Sequence, residues 1–132
     1  MYTAHQSKTV TEMGKWLAGM PWDTFSTVTY RYDVKAKQNF KIMTGLEEYL
    51  KTLGKPFNMF WVSEWHRSGS SVHNHLLVKG DITQDIDRFW TSNRLSDKKF
   101  ISHIKYEKVK GANFYVAKYL DKEIEYDYIW KN

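Results

Sequence analysis

The stretch Phe57-Asn58-Met59-Phe60-Trp61-Val62-Ser63-Glu64-Trp65, then His66-Arg67-Ser68-Gly69-Ser70-Ser71, then Val72-His73-Asn74-His75-Leu76-Leu77-Val78, decides how the chain folds. Both outer segments are dense in β-branched and aromatic residues, and the six between them are mostly small and polar, which is the pattern of two antiparallel strands joined as a hairpin. With residues 66–71 as the loop, Trp65 pairs with Val72, Glu64 with His73 and Val62 with His75. Opposed residues in an antiparallel pair point to the same face, and side chains alternate along a strand. His73, His75 and Glu64 therefore converge on one face. A shift of two residues, setting Glu64 opposite His75, preserves the convergence, whereas a shift of one sends the acid to the other side.

Two imidazoles on one face of a strand form a preformed pair of metal ligands, and a carboxylate from the neighbouring strand supplies a third donor. The bland alternative is a pair of half-exposed sheet histidines beside a solvated acid. Two nitrogens and one carboxylate, with positions left for water and phosphate oxygens, suit Mg²⁺ or Mn²⁺, and zinc would also bind. The chain has no cysteine, so thiolate sites and disulfides are excluded.

Outward from the hairpin, Thr24 to Tyr32 reads as a first strand, and Lys8 to Leu17 before it as a short helix ended at Gly19-Met20-Pro21. From Lys35 to Leu53 the apolar residues Phe40, Ile42, Met43, Leu46, Tyr49, Leu50 and Leu53 recur every three or four positions, the signature of a helix. Gly54-Lys55-Pro56 stops it. After the hairpin, Asp81 or Thr83 can cap a helix running to about Asn93, Phe100 to Val109 alternates as a strand, and Gly111 opens a last helix from Ala112 to about Lys122. Tyr126 to Trp130 is an edge strand or a docked tail. Without the last helix the order is β-α-β-β-α-β, which predicts an α+β fold of the ferredoxin-like or RRM-like type, an antiparallel sheet with helices on one face. The 132 residues read as a single domain, 1–132, without repeats or low-complexity segments.

Composition narrows the function. The chain is 42% hydrophobic and 27% charged, which excludes the disordered and fibrous classes. Its longest apolar runs, such as Met59-Phe60-Trp61-Val62, are far short of a bilayer span, so no membrane partner is expected. The opening Met1-Tyr2-Thr3-Ala4-His5-Gln6 lacks the charged flank and apolar core of a secretory signal, and the expected location is the cytoplasm. A formal charge of +5 and 17% aromatic residues suit a polyanion with unpaired bases, although large rings also fill small cores.

In Phe114-Tyr115-Val116-Ala117-Lys118-Tyr119-Leu120-Asp121-Lys122, Tyr115, Tyr119 and Lys122 share one helical face, with Lys118 beside it. A phenol with an ordinary pKa near 10 is a weak nucleophile at neutrality, and neighbouring ammonium groups favour its phenolate. Plain amphipathic packing of the two rings against the sheet is the alternative.

Three ordered stretches resemble the replication initiator (Rep) branch of the HUH endonucleases, which nick single-stranded DNA to open rolling-circle replication. Phe25-Ser26-Thr27-Val28-Thr29-Tyr30 is similar to the family's first motif, a Phe-x-Thr-x-Thr-aromatic strand. Val72-His73-Asn74-His75-Leu76-Leu77 is similar to the His-hydrophobe-His metal motif, with Asn74 in place of the usual hydrophobe. Tyr115-Val116-Ala117-Lys118-Tyr119-Leu120-Asp121-Lys122 is similar to the third motif, Tyr-x-x-Lys-Tyr-x-x-Lys. The resemblance implies a divalent ion, Mn²⁺ or Mg²⁺, on His73, His75 and Glu64. It also implies a tyrosine attacking the scissile phosphate to give a 5′-phosphotyrosine and a free 3′-hydroxyl. Both tyrosines fit the motif; Tyr119 is the expected first nucleophile, Tyr115 its alternate, and Lys118 and Lys122 their helpers.

The expected partner is a single-stranded DNA origin, which a hairpin can present. The chain has no Gly-x-x-x-x-Gly-Lys phosphate loop, so a separate helicase is the second expected partner. Arg31, Trp65, His66 and Arg67 are candidate DNA contacts. Two other readings compete: a single-strand transposase of the same superfamily, and a non-catalytic RRM-like binder of single-stranded nucleic acid, which would need no ion.

Overall fold

The computed structural model describes residues 12–65, 72–107 and 126–131. In chain order they form α1 (12–18), β1 (Thr24–Thr29), α2 (Ala36–Lys51), β2 (Phe57–Trp65), β3 (Val72–Lys79), α3 (Thr83–Ser92), a 3-10 turn (Lys98–Phe100), β4 (Ile101–Lys105) and β5 (Tyr126–Lys131). The five strands make one antiparallel sheet in the order β4-β1-β3-β2-β5. The first four strands have the ferredoxin-like arrangement the sequence predicts, and Tyr126–Lys131 is an added edge strand. The expected helix over 112–122 lies outside the described residues.

Alternation within each strand divides the sheet into two faces. Val28, Met59, Trp61, Leu76 and Val78 project to one, where Met43, Leu46 and Leu50 of α2 and Ile86 and Trp90 of α3 complete the main core. The 3.6-residue spacing of the α2 leucines places them on the stripe that meets the sheet. α1 departs from the expected one-sided arrangement: its Leu17 packs on the opposite face, with Trp22, Phe60, Val62 and Leu77. The cause is visible in β2, where Phe60, Trp61 and Val62 are all fully buried, so both faces of this central strand need cover.

Local stops and caps mostly follow the sequence. α2 ends at Lys51, and Gly54 takes a positive φ of 72° just beyond it. α3 differs from expectation, because buried Ile82 is the N-cap residue and no side chain caps the helix. Its first turn is held instead by tertiary contacts, with Asp85 paired to Lys55 at 2.8 Å. At the end of β3, Gly80 has φ 113°, and a Cβ there would lie 2.7 Å from the Pro56 carbonyl oxygen. Only glycine fits that turn.

Edge strand β4 is fastened through His103, whose Nδ1 lies 2.7 Å from Ser26 Oγ and whose Nε2 lies 2.7 Å from Asp87 Oδ1 on α3. At the other edge, Glu47 of α2 is 5% exposed, and its Oε2 accepts a hydrogen bond from Trp61 Nε1 at 2.8 Å. No helix among the described residues is long and apolar enough to cross a membrane.

Candidate metal centre

β2 and β3 pair in the first of the two registers the hairpin allowed. Trp65 stands opposite Val72, Glu64 opposite His73 and Val62 opposite His75. The face carrying Glu64, His73 and His75 is the one opposite α2 and α3. Glu64 and His73 are half-buried and His75 is buried, and one donor atom from each lies within 4.8 Å of the other two. Both imidazoles aim Nε2 at the same carboxylate oxygen: Oε1 of Glu64 is 2.5 Å from His73 and 2.9 Å from His75. The rings stand edge to face, 4.9 Å between centroids at 89°.

These residues fit a divalent ion. Metal–nitrogen and metal–oxygen bonds of about 2.0–2.2 Å put neighbouring donors on a common ion roughly 3 Å apart, the scale of the separations seen here. All three groups come from rigid strands, so little order remains to be imposed on binding. Two imidazoles and one carboxylate can hold Mn²⁺, Mg²⁺ or Zn²⁺.

β1 supplies what lies around His75. Thr27 stands opposite His75, and its Oγ1 is 3.2 Å from His75 Nδ1. Phe25, two residues earlier on the same face, stacks on the imidazole with 5.6 Å between centroids and 16° between planes. To offer its Nε2 lone pair to an ion, His75 must carry its proton on Nδ1 and donate it to Thr27. The first sequence motif thus has a physical part in the site that motif spelling alone did not reveal. Opposition of Thr27 to His75 requires knowing that β1 is the neighbour of β3.

The other side of the hairpin is polar where a hydrophobe was expected. Asn74 is fully buried on the α2 side, opposite fully buried Ser63. Asn74 Nδ2 donates to Asn39 Oδ1 at 2.9 Å, Ser63 Oγ donates to Asn74 Oδ1 at 2.9 Å, and Asn39 Nδ2 donates to Ser63 Oγ at 2.9 Å. Tyr30 OH donates to Asn39 Oδ1 at 2.7 Å. Asn39 of α2 therefore ties together both strands that carry the ligands, directly behind them. The clue in the sequence is Asn74 itself, a polar residue at an inward position that demands a partner.

Arg31 follows the end of β1, and with Thr29, Asp33 and His73 it borders a cavity of about 180 Å³ beside the triad. Trp65 lies on the other face, half-buried against the main core. His66, Arg67, Tyr115, Lys118, Tyr119 and Lys122 lie outside the described residues.

No curated protein and no solved structure matches the chain. A family model for the replication-associated protein ORF2 matches residues 23–124, more than three quarters of the sequence. That span includes β1, the ligand-bearing hairpin and the tyrosine-lysine stretch, so the chain belongs to the replication-associated protein ORF2 family.

Proposed function

We propose that the protein is a metal-dependent endonuclease and strand transferase of the HUH type, which nicks single-stranded DNA at a replication origin through a tyrosine. The observation that carries this reading is the convergence of Glu64, His73 and His75 on the open side of the sheet, in a chain of a replication-associated family. A bound divalent ion supplies positive charge at a non-bridging oxygen of the scissile phosphate, where negative charge grows during attack. Glu64 and the two imidazoles hold that position, Thr27 and Phe25 fix the orientation of His75, and Arg31 is assigned a neighbouring phosphate or base edge.

In the proposed reaction Tyr119 Oη attacks phosphorus, the bond to the 3′ oxygen breaks, and the departing oxygen gains a proton to become a 3′-hydroxyl. The products are a 5′-phosphotyrosine and a free 3′ end. Lys118 and Lys122 favour the phenolate of Tyr119, and Tyr115 is the alternate nucleophile. Because the phosphodiester is exchanged for another phosphodiester, a later 3′-hydroxyl can reverse the step and rejoin a strand without ATP. The DNA partner is a single-stranded origin, and strand opening falls to a separate helicase.

The test is formation of a covalent adduct on a denaturing gel, using the full chain, Mn²⁺ and a pool of single-stranded oligonucleotides. Adduct is expected with the wild type, none with chelator, and none with Tyr119→Phe. Adduct lost only in Tyr115→Phe moves the first attack to Tyr115. DNA binding without adduct under any metal condition overturns the enzyme reading in favour of a binder.

A further inference from the structure

Three of the large apolar side chains that the fold leaves exposed are aromatic residues gathered along one margin of the sheet: Tyr126 at 48%, Trp130 at 58% and Trp16 at 43%. Pairing places them. Tyr126 stands opposite Val62, which stands opposite His75, so Tyr126 lies in the same cross-strand row as a metal ligand. Tyr128 stands opposite Phe60 and Trp130 opposite Asn58, in the next two rows. All three β5 rings thus share the ligand-bearing face. Tyr128 and Trp130 stack at 5.6 Å and 29°, and Trp16 of α1 meets Tyr128 edge-on at 5.1 Å. Exposed Lys79 stands opposite Asn58 and so joins the row of Trp130.

Core filling does not account for rings about half open to solvent. Stacking does: every base has an apolar face, and aromatic platforms beside cations take unpaired bases with little regard to sequence. From Tyr126 to Trp130 the strand advances about 13 Å, the reach of a few nucleotides. We propose that β5 and Trp16 form a stacking track for unpaired bases of the DNA strand, leading outward from the metal centre along the free edge of the sheet. The inference rests on the single-strand reading of the site and adds where the flanking strand lies. A protein partner on the same rings is the competing occupant.

The experiment measures binding of a 30-nucleotide oligothymidylate by fluorescence anisotropy in chelator, for the full-length wild type, Tyr126→Ala, Trp130→Ala and Trp130→Phe. Adduct formation is assayed separately in Mn²⁺. Because the truncated rings are exposed, circular dichroism and thermal midpoint should stay close to wild type. Tyr126→Ala and Trp130→Ala are expected to weaken binding about 5- to 20-fold each, with Trp130→Phe within about 3-fold of wild type. Wild-type affinity in both alanine variants, or equal losses for duplex DNA, overturns the track. If adduct forms while the alanine variants bind normally, the track fails and the nicking reading stands. If the variants lose binding but no protein forms adduct, the track stands and the nicking reading fails.

Discussion

Thr27 Oγ1 lies 3.2 Å from Nδ1 of His75, while the Nε2 of the same ring points at Glu64. One hydroxyl on β1 thus selects which nitrogen of a β3 imidazole is free to bind an ion. Outer partners of this kind commonly change metal affinity by 10- to 100-fold when removed. Thr27→Val keeps the shape and removes the acceptor, and it is expected to weaken Mn²⁺ binding by about 10-fold, measured by calorimetry or by loss of the free-ion paramagnetic signal. Thr27→Ser should retain most of the affinity. Equal losses in both variants would assign Thr27 to packing alone.

Ion binding to a preformed site stabilises the fold, because the unfolded chain does not gather Glu64, His73 and His75. At about 100 times the dissociation constant the gain is roughly 3 kcal/mol, which corresponds to several degrees in Tm. Wild type should show this rise with Mn²⁺ and lose it with chelator. Glu64→Ala and His73→Ala should unfold at a Tm independent of Mn²⁺. A rise that survives in both variants would place the ion elsewhere.

The hairpin was legible in the sequence because two constraints agree there: a short polar loop fixes the pairing, and period-two alternation fixes the faces. Glu64, His73 and His75 follow from those constraints alone. The order of the first four strands also followed, from the alternation of helical and extended periods. What escaped were relationships between segments distant in the chain. Thr27 touches His75 across 48 positions, and Asn39 reaches Asn74 across 35. Periodicity within a segment carries no information on which strand lies beside it. The location of α1 escaped for another reason: Phe60-Trp61-Val62 is apolar on both faces, which says that cover is needed but not which helix provides it.

Asn39 joins α2 to both ligand-bearing strands, through Ser63 and Asn74. Removing its amide strands the partners in a dry interior, where each unpaired polar group costs about 1–3 kcal/mol. Asn39→Ala is expected to destabilise the protein by about 3 kcal/mol in urea unfolding, and to weaken Mn²⁺ binding because both strands behind the ligands lose their brace. Ser63→Ala, which leaves the two asparagines bonded to each other, should cost roughly 1 kcal/mol or less. A milder effect for Asn39→Ala than for Ser63→Ala would refute Asn39 as the centre of the cluster.

Glu47 makes stability fall as the solution becomes more alkaline. Burial, with Asp127 adding its own negative charge, raises its pKa from 4.5 to about 7, against the opposing pull of the Trp61 N–H and of Lys51. Below pH 4.5 the carboxyl is protonated in folded and unfolded chains alike and contributes no pH dependence. Between 4.5 and about 7 the unfolded chain ionises while the folded one keeps its proton, so the folded state loses ground throughout that window. Above it the deficit is constant, on the order of 2–3 kcal/mol. Glu47→Gln keeps an acceptor for Trp61 and removes the titration. Its stability relative to wild type, from urea unfolding at a series of pH values, should therefore climb from about pH 5 to about pH 7.5 and then level off. A difference that stays flat over that range would mean that Glu47 is ionised in the folded protein.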